Sequence, residues 1–257
     1  VVFMETTYGD RDHRPFAETA EEFMTIVKDT VERGGRILAP TFAVGRAQVL
    51  TMLLGWMFRH HRIAPFPVFL DSPMAIEASK ITMGHPELFD DDMQAFMHEG
   101  PLEECLRTFK TTATVDESRA INGVKGPCLV MAGAGMCNAG RILHHLKHGL
   151  WRPETHVLFV GYQASGTLGR LLVNGAPFVT IHGEKVAVRA QIHTLGGFSA
   201  HAGQSDLLSW FDVVAGSKPR VILTHGENGP RDAMAARIRE RYGITAEEPG
   251  EGGVIEC

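Results

Sequence analysis

CLVMAGAGMCNAGRILHHLKHGLWRPETHVLFVGYQ, residues 128–163, is the stretch that decides the fold. Cys128-Leu129-Val130-Met131 is an unbroken apolar run, too short for a buried helix and closed by Gly133-Ala134-Gly135. A helix is predicted over 140–148, followed by a second apolar run at 156–160 that ends in Gly161-Tyr162-Gln163. Strands apolar on both faces need cover on both faces. Strand, helix, strand at this spacing therefore predicts a largely parallel α/β sheet.

The same rhythm continues upstream. The chain opens in a short strand that runs to Glu5, then turns through Gly9-Asp10-Arg11-Asp12-His13-Arg14-Pro15. Phe16, Ala20, Phe23, Val27 and Val31 recur at helical spacing, and Gly34-Gly35 ends that helix. A strand is predicted at 36–40, a well-buried helix at 43–60, a strand at 67–70, and helices near 75–83 and 86–98. Downstream, 178–181 and 185–195 read as two strands of a hairpin around His182-Gly183-Glu184. A last unit comprises a helix at 203–214, a strand at 220–224 and a helix at 230–242. The chain has no internal repeat or Pro/Ser-rich tether, so two domains would be joined by continuous structure.

Composition limits the alternatives. The 257 residues, 44% hydrophobic and 21% charged, suit one large or two small domains and exclude a disordered tail, a collagen or a disulfide-dense module. No apolar run approaches the roughly 18 residues of a membrane span, and no membrane partner is expected. Cysteines at 105, 128, 137 and 257 make no Cys-x-x-Cys pair, so reduced thiols in a cytoplasmic protein are expected. With 25 basic against 30 acidic side chains, the charge of -5 argues against broad binding along a nucleic-acid backbone, but not against a local phosphate site. A chain that begins Val1-Val2-Phe3, inside a strand, reads as a piece of a longer protein.

Three polar segments each follow a predicted strand: Glu5-Thr6-Thr7-Tyr8-Gly9, Gly197-Phe198-Ser199-Ala200-His201-Ala202-Gly203 and Thr224-His225-Gly226-Glu227. Ligand sites in α/β folds gather at strand carboxyl ends, where one carboxylate and two imidazoles could share a pocket and Glu5 could fix a histidine tautomer. On spacing alone, the same residues could equally be satisfying strand-end backbone groups. Residues 133–140 could receive a phosphate at a helix start but lack a dinucleotide-binding glycine pattern. His144, His145 and His148 share a helix without an evident third metal ligand. Arg46, Arg141 and Arg170 lie near helix starts, from which each could reach a phosphate, although solvated side chains are the commoner outcome.

These segments resemble, in order, the β-CASP branch of the metallo-β-lactamase superfamily. Glu5 to Arg11 is similar to its Glu-Ser-Thr-Tyr-Gly segment. Pro40 to Gln48, Asp71 to Ala75, Met131 to Met136, Gly161-Tyr162-Gln163 with Gly166-Thr167-Leu168, Phe198 to His201 and Leu223 to Glu227 complete the series. The implied fold class is α/β: a parallel-sheet β-CASP domain with helices on both faces, plus the partial second half of a metallo-β-lactamase αββα sandwich. The implied domains are 1–11, the end of the first lactamase half; 12–192, the β-CASP domain; and 193–257, the returning half.

The resemblance also implies a function: zinc-dependent hydrolysis of RNA, exo- or endonucleolytic, by a hydroxide held between two zinc ions. Glu5 and His201 take the catalytic positions, with His201 as general acid. Ser199 and His201 match phosphate contacts, and His225 matches a metal ligand. A histidine at that third position, where DNA-directed members tend to have valine, favours RNA, in single-stranded form. A homodimer is a further expectation. The family's His-x-His-x-Asp-His cluster is absent from the chain and is expected upstream of Val1, so the chain alone is expected to hold no complete zinc pair and to be inactive. The competing function is a catalytically dead RNA-binding or scaffold subunit; retention of Glu5, His201 and His225 argues for the enzyme.

Overall fold

The computed structural model describes residues 1–250 and 252–256. Along the chain the elements are β1 (Val2–Glu5), α1 (Phe16–Glu32), β2 (Arg36–Pro40), α2 (Arg46–Arg59), β3 (Val68–Leu70), α3 (Pro73–Met83), α4 (Asp91–His98) and α5 (Leu102–Cys105). They continue as β4 (Phe109–Thr111), α6 (Val115–Ala120), β5 (Cys128–Ala132), α7 (Ile142–Gly149), β6 (Thr155–Phe159), α8 (Leu168–Val173), β7 (Phe178–Ile181) and β8 (Glu184–Ala187). The last are β9 (Gln191–Thr194), α9 (Gln204–Ala215), β10 (Val221–Thr224) and α10 (Asn228–Tyr242). Two compact units result: Phe16–Phe198, and Val1–Pro15 together with the chain from Ser199 onward.

The larger unit is built on a parallel sheet of order β4-β3-β5-β2-β6-β9. Successive strand residues point to opposite faces, and the core divides accordingly. Ile37, Ala39, Leu129, Met131 and Leu158 pack with Phe23 and Val27 of α1 and Leu50 and Leu54 of α2. Leu38, Val130, Val157 and Phe159 pack on the other face with Ile142 and Leu146 of α7. Each such fully buried Val, Leu, Ile, Met or Phe side chain contributes about 1.5–3 kcal/mol by removal from water. The approach of α7 to the sheet depends on Gly149, where a Cβ would meet Leu38 Cδ1 at 2.8 Å.

Several features differ from the sequence expectation, among them α5 and α6, which were not expected, and the helix expected at 86–98, which begins only at Asp91. The second predicted hairpin strand, 185–195, is two strands: β8 pairs with β7, and β9 joins the main sheet beside β6. The amides of Arg189 and Ala190 both donate to the Leu150 carbonyl, which draws the chain out of the hairpin. Helix α2 begins at Arg46 rather than 43, because Gly45 takes φ 82° and ends any helical continuation toward the N-terminus. The edge strand β4, with Phe109 its only large apolar residue, was not expected.

Asp71, directly after β3, is fully buried and accepts four hydrogen bonds. His145 Nε2 (2.7 Å) and Ser118 Oγ (2.6 Å) donate to Oδ2; Thr112 Oγ1 (2.7 Å) and Arg141 Nη1 (2.8 Å) donate to Oδ1. Burial pushes this carboxyl up, but the bonds from His145, Ser118, Thr112 and Arg141 outweigh it and hold its pKa well below the carboxylate range. Arg141, weighed above as a solvated arginine or a phosphate contact, is instead committed to Asp71 and to the carbonyls of Thr112 and Ala113.

In the smaller unit β1 and β10 pair in parallel, Val2 opposite Val221 through Glu5 opposite Thr224. Met4, Val221 and Leu223 face Leu207, Leu208 and Phe211 of α9 and Met234 and Ile238 of α10. Helix α10 ends at Gly243, whose left-handed φ of 68° suits a glycine.

Candidate active site

Parallel pairing of β1 with β10 brings the carboxyl ends of both strands to one place, with Glu5 and Thr224 in register. Thr6 locks the two exits together: its amide and hydroxyl donate to the carbonyls of His225 (3.4 Å) and Thr224 (3.0 Å). The approach is close enough to require Gly226, where a Cβ would lie 2.6 Å from the Thr6 carbonyl oxygen. His225 itself adopts a left-handed φ of 49°, an uncommon conformation for a residue with a Cβ.

The loop before α9 delivers the third residue. It is held by the 9–13 segment through several bonds. Gln204 donates from its side chain to the Gly9 carbonyl (2.6 Å) and from its amide to the Arg11 carbonyl (3.0 Å). Asp12 accepts from the Ser205 amide and hydroxyl, both at 2.7 Å, and His13 Nε2 donates to the His201 carbonyl at 2.7 Å. Within the loop, Ser199 Oγ accepts from the His201 amide at 3.2 Å.

Glu5, His201 and His225 therefore converge, each offering one ligand atom within 4.8 Å of the others. Among the described residues this is the one such group of histidine, cysteine or acidic side chains. Glu5 Oε1 lies 3.3 Å from His201 Nδ1 and accepts from the Ala202 amide at 3.2 Å, while Oε2 accepts from the Thr7 amide at 2.8 Å. Burial pushes the Glu5 carboxyl up, but bonds from the Thr7 amide and side chain and the neighbouring His201 outweigh it and lower its pKa. The imidazoles of His201 and His225 stack at 5.0 Å between centroids.

Thr7 joins the two rings and was not singled out in the sequence. Its hydroxyl donates to the His225 carbonyl (3.0 Å), leaving the oxygen to accept from His225 Nδ1 (3.1 Å) and His201 Nδ1 (3.3 Å). With protons held at both Nδ1 atoms, each ring keeps Nε2 for a metal or substrate. An open imidazole Nε2 suits zinc, so His225 fits that metal as a ligand.

The alternative histidine group does not assemble. His145 is buried against Asp71, and His144 lies tilted against His182 at 4.7 Å between centroids. Cys105, Cys128 and Cys137 are buried free thiols; burial pushes Cys137 up to about 12, which makes it inert.

Comparison with known proteins places these features. A family profile described as the Beta-Casp domain matches residues 47–172, and one described as the Zn-dependent metallo-hydrolase RNA specificity domain matches 185–249. The chain is 45% identical over 231 residues to Ribonuclease TTHA0252 of Thermus thermophilus, covering 88% of this chain and 51% of that protein. It is 35% identical over 249 residues to Transcription termination factor FttA of Methanocaldococcus jannaschii, covering 94% and 39%. The factor of that name from Thermococcus kodakarensis is 32% identical over 254 residues, with 96% and 39% covered. The chain thus spans about half or less of the length of these relatives. Two consecutive profile matches in family order, on a parallel sheet with helices on both faces, show that the chain belongs to the β-CASP branch of the metallo-β-lactamase superfamily.

Proposed function

We propose that this chain forms part of a zinc-dependent ribonuclease and supplies its proton donor, phosphate contacts and one metal ligand. The observation that carries the reading is the convergence of Glu5, His201 and His225 around Thr7. His225 would hold zinc through Nε2, and zinc when bound supplies Lewis-acid stabilisation of charge on the phosphate oxygens. In the imidazolium form of His201, Glu5 pairs with the Nδ1 proton and orients the ring, so that Nε2 hands its own proton to the leaving oxygen and leaves a neutral ring protonated at Nδ1. Ser199 uses its oxygen to hold the His201 amide, which leaves the hydroxyl hydrogen to donate to a phosphate oxygen.

The names of the relatives, a ribonuclease and transcription termination factors, support RNA as the substrate, and the family's RNA specificity profile supports it independently. The reading extends to single-stranded RNA, a cytoplasmic setting and a homodimer. It also holds that two zinc ions are needed and that this chain alone does not complete their site. The test compares the complete protein with this chain on labelled single-stranded RNA and DNA, alongside zinc analysis. Zinc-dependent RNA cleavage by the complete protein, with no cleavage by the chain alone, supports the reading. Stoichiometric zinc and nuclease activity in the isolated chain, or preference for DNA in the complete protein, overturns it.

A further inference from the structure

In the larger unit, a pocket of about 480 Å³ opens at the amino ends of β2 and β6, lined by Arg36, Lys125, Arg152 and Glu154 among others. Three cations therefore face one carboxylate. Among the described residues, none of these cations has an ion-pair partner. Arg36 donates to the carbonyls of Ile121 (3.3 Å) and Val124 (3.1 Å), bonds that position its guanidinium without neutralising it. Arg152 lies over the Trp151 ring, 4.7 Å from its centroid, and its buried Nε has no hydrogen-bond partner. The Gly123-Val124-Lys125-Gly126 turn forms one wall, with Gly126 at φ 80°. Among the described residues, the amides of Lys125 and Gly126 donate to no protein acceptor.

An unneutralised guanidinium with an unsatisfied buried N–H, beside exposed backbone amides, is the pattern that recruits an anion. Planar guanidinium groups match the oxygens of a phosphate, and the pocket volume lies in the range of small-ligand sites. We propose that this pocket binds a phosphate group, carried either by an RNA strand or by a free nucleotide. It uses none of the residues of the candidate active site and does not depend on the ribonuclease reading.

Trp151 provides the optical signal, assigned by its loss in Trp151→Phe. The chain is titrated at constant ionic strength with inorganic phosphate, with AMP and with a short oligoribonucleotide lacking terminal phosphates, each checked by calorimetry. Saturable binding is expected for phosphate and for one or both of the others. Response to the oligoribonucleotide assigns RNA as the source, and response to AMP alone assigns a free nucleotide. Arg152→Gln and Lys125→Gln should each weaken binding about tenfold, as loss of a charge-assisted bond requires. Glu154→Gln should tighten it, a gain that loss of folding cannot mimic. No saturable binding by any of the three probes, or binding unchanged in all three variants, overturns the proposal.

Discussion

Replacing Asp71 by Asn tests whether the buried polar cluster holds the larger unit together. The carboxylate accepts two bonds on each oxygen: His145 and Ser118 on Oδ2, Thr112 and Arg141 on Oδ1. The amide of Asn is a donor: on either side the Ser118 or Thr112 hydroxyl can turn and accept from it, but the N–H of His145 or Arg141 on that side loses its acceptor, and the Arg141 charge loses its partner. Each unsatisfied buried group costs about 1–3 kcal/mol, and breaking a buried ion pair from one side costs about 3–5 kcal/mol. The expected loss is therefore about 3–5 kcal/mol, or roughly 10 °C in melting temperature for a chain of this size. Urea denaturation followed by circular dichroism measures it. The acid limb gives a second reading. Because the folded pKa of Asp71 is depressed, its stabilisation is complete above the ordinary carboxylate value near ~3.9 and fades as pH falls toward the folded value. Asp71→Asn should flatten that part of the stability profile. A loss below about 1 kcal/mol, with an unchanged acid limb, would refute the argument.

Two further substitutions probe the site. Thr7→Val removes the hydroxyl shared by His201 and His225 while keeping shape, and should lower activity or zinc affinity of the complete protein about 10–100-fold; an unchanged protein by both measures counts against tautomer control by Thr7. Gly226→Ala places a Cβ 2.6 Å from the Thr6 carbonyl, so it should cost about 1–3 kcal/mol and displace His225. Thermal melts and histidine NMR shifts read both effects, and an undisturbed His225 resonance contradicts the close-approach argument.

The central strands were legible because each is an apolar run on both faces: β2, β3, β5 and β6 cannot be read as half-exposed strands. At the edges that signal fades. Phe109-Lys110-Thr111 carries one large apolar side chain, and β9 was merged with the hairpin because nothing local marks the two bonds to the Leu150 carbonyl. Glu5, His201 and His225 could be named as strand-end polar residues, but their meeting depends on a parallel pairing between segments over 200 residues apart in sequence. Thr7 gave no signal, since a threonine at a strand end has ordinary structural uses. His145 read as one of three helix histidines, and its burial follows from a carboxylate 74 positions away.

Single-turnover cleavage of labelled single-stranded RNA by the complete protein, wild type against His201→Ala, tests the account most directly, provided zinc content is measured in both. Loss of a positioned general acid predicts a fall of about 10²–10⁴-fold in the chemical step with zinc retained. Full hydrolysis by His201→Ala would contradict the assignment of His201 as the proton donor.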